Sequence, residues 1–145
     1  MKKTMLVLAI LLYTGVFHEP AVKAPASGAL VIFYSEGFNP FNRIYFGVCT
    51  VESGMDSLAY NPNDPHGGSH GISQIGTKRL RDYNRRTGKQ YTIQDLYKPA
   101  VSREIFMFYA QGLGPYHQDL IVRKWNGSGV LTYKYLKKVK RVIST

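Results

Sequence analysis

The 145-residue chain carries 19 Lys and Arg against 9 Asp and Glu, a formal charge of +10. Such a balance draws a protein to anionic surfaces without choosing among wall polymers, phospholipid head groups and nucleic acid. Cys49 is the single cysteine, which excludes an intramolecular disulfide and a Cys-rich zinc site, so stability has to come from apolar packing.

Met1-Lys2-Lys3-Thr4 followed by an apolar run from Met5 to Phe17 has the charge and length of a secretory signal rather than of a membrane span. Ala24-Pro25-Ala26 supplies a small-residue cleavage site, which makes 1–26 the signal and Ser27 the first mature residue. Pro25 inside that site and His18-Glu19 ahead of it keep an uncleaved N-terminal anchor as the alternative, and only then would the membrane be a partner. Removing Lys2, Lys3, Lys23 and Glu19 lowers the formal charge from +10 to +8. The roughly 120 remaining residues suit one domain with one core.

Residues 18–29 are rich in Pro, Ala, Gly and Ser and read as the signal tail and a linker. The segment 27–38 leads into a domain at 39–145, and Ala29–Tyr34 is the one stretch that resembles a strand. No repeat at a fixed period and no low-complexity tract is present.

A helix is predicted from Asn39 to Ser53, with Asn39 as N-cap, Pro40 at the first helical position and Gly54 past the end. At roughly 100° per residue, Phe41, Tyr45, Val48 and Glu52 fall on one stripe flanked by Ile44 and Val51. Glu52 is thus in line with apolar residues. Residues 61–71 read as a loop from their Pro, Gly and Asn content, and Gln74 to Arg86 as a polar helix ending at Gly88. Thr92 and Asp95 form a capping-box pattern for a short helix. Pro99 opens a longer one whose Val101, Ile105, Phe106, Phe108 and Tyr109 make it apolar nearly all round and central. Asp119–Trp125 and Thr132–Ile143 are the last helices. In the final one Tyr135, Leu136, Val139 and Val142 share a face, while Lys134, Lys137, Lys138 and Arg141 point away. The expected fold is mainly α, with little or no sheet.

Three short motifs stand in order along this chain: Glu52-Ser53, then Gly71-Ile72-Ser73-Gln74, then Trp125-Asn126-Gly127-Ser128. Together they resemble the SLT-type lytic transglycosylases, lysozyme-like enzymes that cut peptidoglycan glycan strands, whose pattern runs Glu-Ser, Gly-Leu-Met-Gln, Ala-Tyr-Asn. The likeness reaches from about Asn39 to Val142 and implies a lysozyme-like α-helical catalytic domain. Ser73 stands where that family has Met, and Trp125 where it has Tyr. Thr132 to Val139 also resembles the family's closing Thr-x-x-Tyr segment, which makes Tyr135 the hydroxyl expected beside the acid.

Glycoside cleavage needs a carboxylic acid still protonated near neutral pH. Burial raises a carboxyl pKa, as does the negative end of a helix, and Glu52 is predicted to have both. A lone Glu in an apolar stripe is more often a structural partner of an arginine; the two downstream motifs make the catalytic reading the better one. By resemblance, Ser53 orients substrate, or it merely ends the helix. Gln74 offers an amide to a sugar, or is a helix cap. Trp125 stacks on a sugar or belongs to the core, and Asn126 completes the substrate-binding set. Asp56 and Asp64 are the acids near the active loop, and neither matches a family catalytic position. A single acid fits the family's route, in which the C6 hydroxyl of the sugar attacks C1 and leaves a 1,6-anhydro end. A goose-type muramidase and a non-catalytic wall-binding protein are the alternatives.

His66-Gly-Gly-Ser-His70 has imidazoles four apart, but two glycines argue against a helix there and no third ligand stands near, so no metal or other cofactor is expected and the histidines should line or cover the groove. Cys49, late in a helix, is placed for packing rather than as a nucleophile. The run Lys78-Arg79-Leu80-Arg81 through Arg85-Arg86 and Lys89 reads as a solvated helix face, and the export signal argues against nucleic acid as the main partner. The expected partner is peptidoglycan at the periplasm or cell envelope. Small size and the lack of a wall-anchoring domain favour a phage, secretion or conjugation setting over wall recycling.

Overall fold

The computed structural model describes residues 39–64 and 67–144, all of which belong to one unit, Glu36–Thr145. The expected signal, the linker and the strand-like stretch 29–34 lie outside the described residues. Within them the fold is mainly α: five α-helices and one small sheet. No helix among the described residues is long and apolar enough to cross a membrane.

Helix α1 spans Asn42–Ser53, three residues later than the expected start. Asn39 is still the residue that organises the entry. Its side chain accepts the Phe41 N–H at 2.9 Å and its carbonyl accepts the Asn42 N–H at 3.1 Å, so it caps an Asx turn through Pro40 instead of the helix itself. Gly54 ends α1 with φ 64°. The stripe on α1 buries Phe41, Ile44, Val48 and Cys49, and burial pushes the Cys49 thiol up to about 12, which leaves it a packing group.

The region read as a loop contains pairing. Strands β1 (Tyr60–Asn61), β2 (Ser69–His70) and β3 (Ile75–Gly76) form an antiparallel sheet in that order, with Tyr60 opposite His70 and His70 opposite Ile75. Helix α2 accordingly runs only Thr77–Thr87. Its start is delayed because Gln74 has a left-handed φ of 51° and Gly76 is extended, neither of which continues a helix.

A 3₁₀ segment, Ile93–Tyr97, follows with the expected capping box between Thr92 and Asp95. Helix α3 (Pro99–Gln111) begins at its proline and places Ile105, Phe106, Met107 and Ala110 in the core. Helices α4 (Gln118–Asn126) and α5 (Leu131–Ile143) complete the order. On α5, Tyr135, Leu136 and Val139 are buried and Val142 half-buried, while Lys134, Lys137, Lys138 and Arg141 are exposed.

Helix α5 packs against α1 and α4. A Cβ on Gly47 would come within 2.6 Å of Ile143 and 2.9 Å of Val139, so the absence of a side chain lets α1 and α5 approach closely. Gly47 faces the end of α5, and Glu52, five residues on, meets Tyr135. The two helices are therefore antiparallel, and their contact sets the depth at which Glu52 sits.

Candidate active site

The last turn of α1 carries Glu52 into a cleft of about 980 Å³ lined by β3, α2, the end of α3 and α4. That volume is at the upper end of the usual range for ligand sites, roughly 300–1,000 Å³. Glu52 is half-buried, and its Oε1 accepts the Tyr135 hydroxyl at 2.7 Å. Burial holds its carboxyl above the ordinary value, against the opposing pull of the Tyr135 hydrogen bond and of the Arg79 charge. Tyr135 is itself buried, and desolvation together with the neighbouring carboxyl pushes its phenol up, so it stays a donor. An acid raised by burial, steadied by one hydroxyl and open to a cleft has the features of a proton donor.

Of the other residues singled out in the sequence, Gln74, Trp125 and Asn126 line the same cleft and Ser53 does not, and the side chains of Ser53, Gln74 and Trp125 are bonded to protein. Ser53 Oγ donates to the Ile72 carbonyl at 2.7 Å and is 3.1 Å from the Cys49 carbonyl, tying the end of α1 to the turn at 71–74. Gln74 braces that turn from the other side. Its Nε2 donates to the carbonyls of Ala59 and Gly71 at 3.1 and 3.0 Å, and its Oε1 accepts the Ser69 hydroxyl at 3.0 Å. Those bonds hold a non-glycine residue in the left-handed region, where strain is often found beside functional sites. Replacing Gln74 by Ala removes all three side-chain hydrogen bonds, although the Ala59 and Gly71 carbonyls keep the backbone N–H donors of Gly71 and Gln74, and should lower stability by about 1–3 kcal/mol. Urea unfolding measures it, and an unchanged midpoint means that the amide is not needed as a brace.

Trp125 is only 6% exposed. Its indole N–H donates to the Ser73 carbonyl at 3.1 Å, and the Arg79 guanidinium lies 4.0 Å over its ring. Of the two expectations for Trp125, a sugar platform or a core residue, this burial fits the core one: Arg79 lies over the ring, and the indole holds Arg79 and the Ser73 backbone beside the cleft. Asn126 is exposed at the end of α4 and lines the cleft with Gly127 and Ser128.

His70 is also corrected. It is 5% exposed, stacks on Tyr60 and meets the Tyr97 hydroxyl through Nδ1 at 2.9 Å, and it does not line the cleft. His66 lies outside the described residues. Among the described residues no three His, Cys, Asp or Glu gather where a metal could be held.

Arg79 and Asp82 are among the residues that reach the cleft and that the sequence did not single out for it. Arg79 belongs to the run read as a solvated face, yet it folds inward. The available signal was its position one helical turn before buried Tyr83. Asp82 faces the cleft too, but the Tyr109 hydroxyl donates to it at 2.8 Å and Arg85 and Arg86 pair with it, which holds its carboxyl below the ordinary range. Of the two loop acids, Asp64 lines the cleft: a Cβ on Gly76 would sit 2.9 Å from its Oδ2, which puts the carboxylate at the entry of α2. Asp56 instead accepts the Leu58 N–H at 2.8 Å in an exposed turn.

The chain finds no match among protein-family models, curated proteins or solved structures, so the chemistry rests on the residues themselves.

Proposed function

We propose that this chain is a peptidoglycan lytic transglycosylase with a lysozyme-like catalytic domain, cutting the β-1,4 bond between N-acetylmuramic acid and N-acetylglucosamine. The observation that carries the reading is Glu52, raised by burial and bonded to Tyr135 in the cleft. Glu52 gives its proton to the glycosidic oxygen as the bond to C1 breaks. The resulting carboxylate then takes the proton of the C6 hydroxyl as that oxygen bonds to C1, which leaves a 1,6-anhydro end and consumes no water. Tyr135 fixes the carboxyl, and Ser53, Gln74 and Trp125 fix the backbone of the wall around it. Export to the periplasm or cell envelope, through the segment 1–26, belongs to the same reading. So does a setting in phage, secretion or conjugation assemblies.

A goose-type muramidase is the second reading, and Asp64 is what favours it, since it is a second carboxylate lining the same cleft and that mechanism uses two. Mass spectrometry of digested glycan separates the two, because a hydrolysed end is heavier by one water. Anhydro ends are expected in the majority, with Asp64→Asn slowing cleavage less than about tenfold, well short of the 100-fold or more that general acid–base catalysis is worth. Hydrated ends in the majority, together with an inactive Asp64→Asn, make Asp64 the second catalytic acid. Binding with no cleavage of either kind identifies a wall-binding protein.

A further inference from the structure

We propose that Arg79 is a positioning residue for Glu52: its guanidinium, clamped to the Trp125 wall of the cleft, stabilises the carboxylate that Glu52 becomes between giving up one proton and taking the next. The inference rests on the transglycosylase reading and extends it to a residue outside the three sequence motifs.

The clamp is built from two holds. Arg79 Nη2 donates to the Trp125 carbonyl at 2.7 Å and lies 3.4 Å from that of Lys124, and the guanidinium stacks on the indole at 4.0 Å. A cation taken largely out of water is costly unless something fixes it there, and cation–π stacking on Trp with a carbonyl bond does so. The held charge lines the same cleft as Glu52, where a cation favours the ionised carboxyl against the burial that raises it. The groups that face Glu52 are Tyr135 from α5, Arg79 from α2 and, one turn back on α1, Cys49. Arg79 is in turn faced by Tyr109 of α3 and by Asp64, and Lys124 of α4 lines the cleft beside it.

In the first step the Glu52 proton passes to the bridging oxygen, whose bonding pair leaves C1, and Glu52 becomes anionic. In the second, the C6 oxygen bonds to C1 and its proton returns to Glu52. Burial alone would make the anion between these steps costly. A fixed cation offsets that cost without moving and without water, which is how preorganised charge assists a reaction.

The test follows Glu52 by carbon-13 NMR of its carboxyl, with the pH profile of peptidoglycan cleavage beside it. Arg79→Met keeps an apolar stem on the indole and removes the charge; Arg79→Gln is the second variant should the first fail to fold, and Arg79→Lys keeps the charge. Removing the cation should raise the Glu52 midpoint and the alkaline limb of kcat by about one pH unit or more, the usual effect of an opposite charge nearby. Below that limb kcat should fall with KM little changed, and Arg79→Lys should restore the wild-type limb. A role confined to folding would instead lower kcat equally at every pH. A folded, uncharged variant whose midpoint stays within about 0.3 pH units of wild type, well short of that expected effect, overturns the inference while normal cleavage keeps the functional reading. A wild type that cleaves no glycan overturns the functional reading, whatever the titration shows.

Discussion

Glu52→Gln is expected to cut peptidoglycan turnover by at least about 100-fold while leaving glycan binding in place, since positioned proton transfer contributes roughly 10²–10⁴-fold. Glutamine has the size of glutamate and can accept the Tyr135 hydrogen bond, but it has no proton to transfer. No other cleft acid is placed to substitute: Asp82 is tied to Tyr109 and Arg85, and Asp64 sits over the start of α2. Turnover within about tenfold of wild type removes Glu52 from the role.

The same variant should be more stable than wild type at neutral pH. Because burial raises the folded-state pKa of Glu52, the folded protein holds that proton more tightly than the unfolded chain does. Stability of the wild type therefore falls as pH rises from the ordinary carboxyl value of 4.5 through the raised one. Glutamine has no such dependence. The variant's advantage should be absent in acid and grow toward neutrality, on the order of 1 kcal/mol, as is common when a functional site is relaxed. Denaturant melts at several pH values measure it, and a pH-independent difference would mean that the fold does not raise the carboxyl.

The largest loss of stability is expected from Gly71→Ala. Gly71 has φ 74°, and a Cβ there would lie 2.0 Å from the Leu96 carbonyl oxygen and 2.9 Å from its carbon. These are backbone atoms of Leu96, the buried residue of the 3₁₀ segment. The Leu96 carbonyl is also fixed by the Ser102 hydroxyl at 2.7 Å, so it cannot swing aside without breaking that bond. Left-handed strain of about 1–2 kcal/mol adds to a clash only a backbone shift can relieve, and a total of 4 kcal/mol or more is the expected order. A domain of ordinary stability, about 5–15 kcal/mol, would be left near its threshold. Gly88→Ala is the control: φ is 73° there too, but nothing lies within 4 Å, so it should lose only the strain. Equal losses at the two positions would show that contact with Leu96 is not what makes position 71 demand glycine.

The helices were largely legible in the sequence because each carries its own signal. Pro99 starts α3, Gly54 and Gly88 end α1 and α2, and Thr92 with Asp95 caps the 3₁₀ segment. Periodicity put Val48 and Glu52 of α1 on one stripe, and Tyr135 and Val139 of α5 on another. What a stripe reports is which side of a helix leaves water. It does not report what that side meets.

Tertiary structure decided the rest. The 61–76 region carries too little local signal to show strands two residues long, whose pairing depends on the Gly71–Gln74 turn and its bonds to Ala59 and Ser69. Arg79 looks like its exposed neighbours Lys78 and Arg81 along the chain. Only the arrival of Trp125 from α4, 46 residues away, gives its guanidinium a surface to lie on and a carbonyl to bond. His70 was drawn away from the cleft by Tyr97 for a similar reason. The sequence by itself determined most of the helices and singled out Glu52. Packing between distant segments determined the environment of that carboxyl, because burial and charge at Glu52 are set with Tyr135 and Arg79, which local sequence cannot bring near.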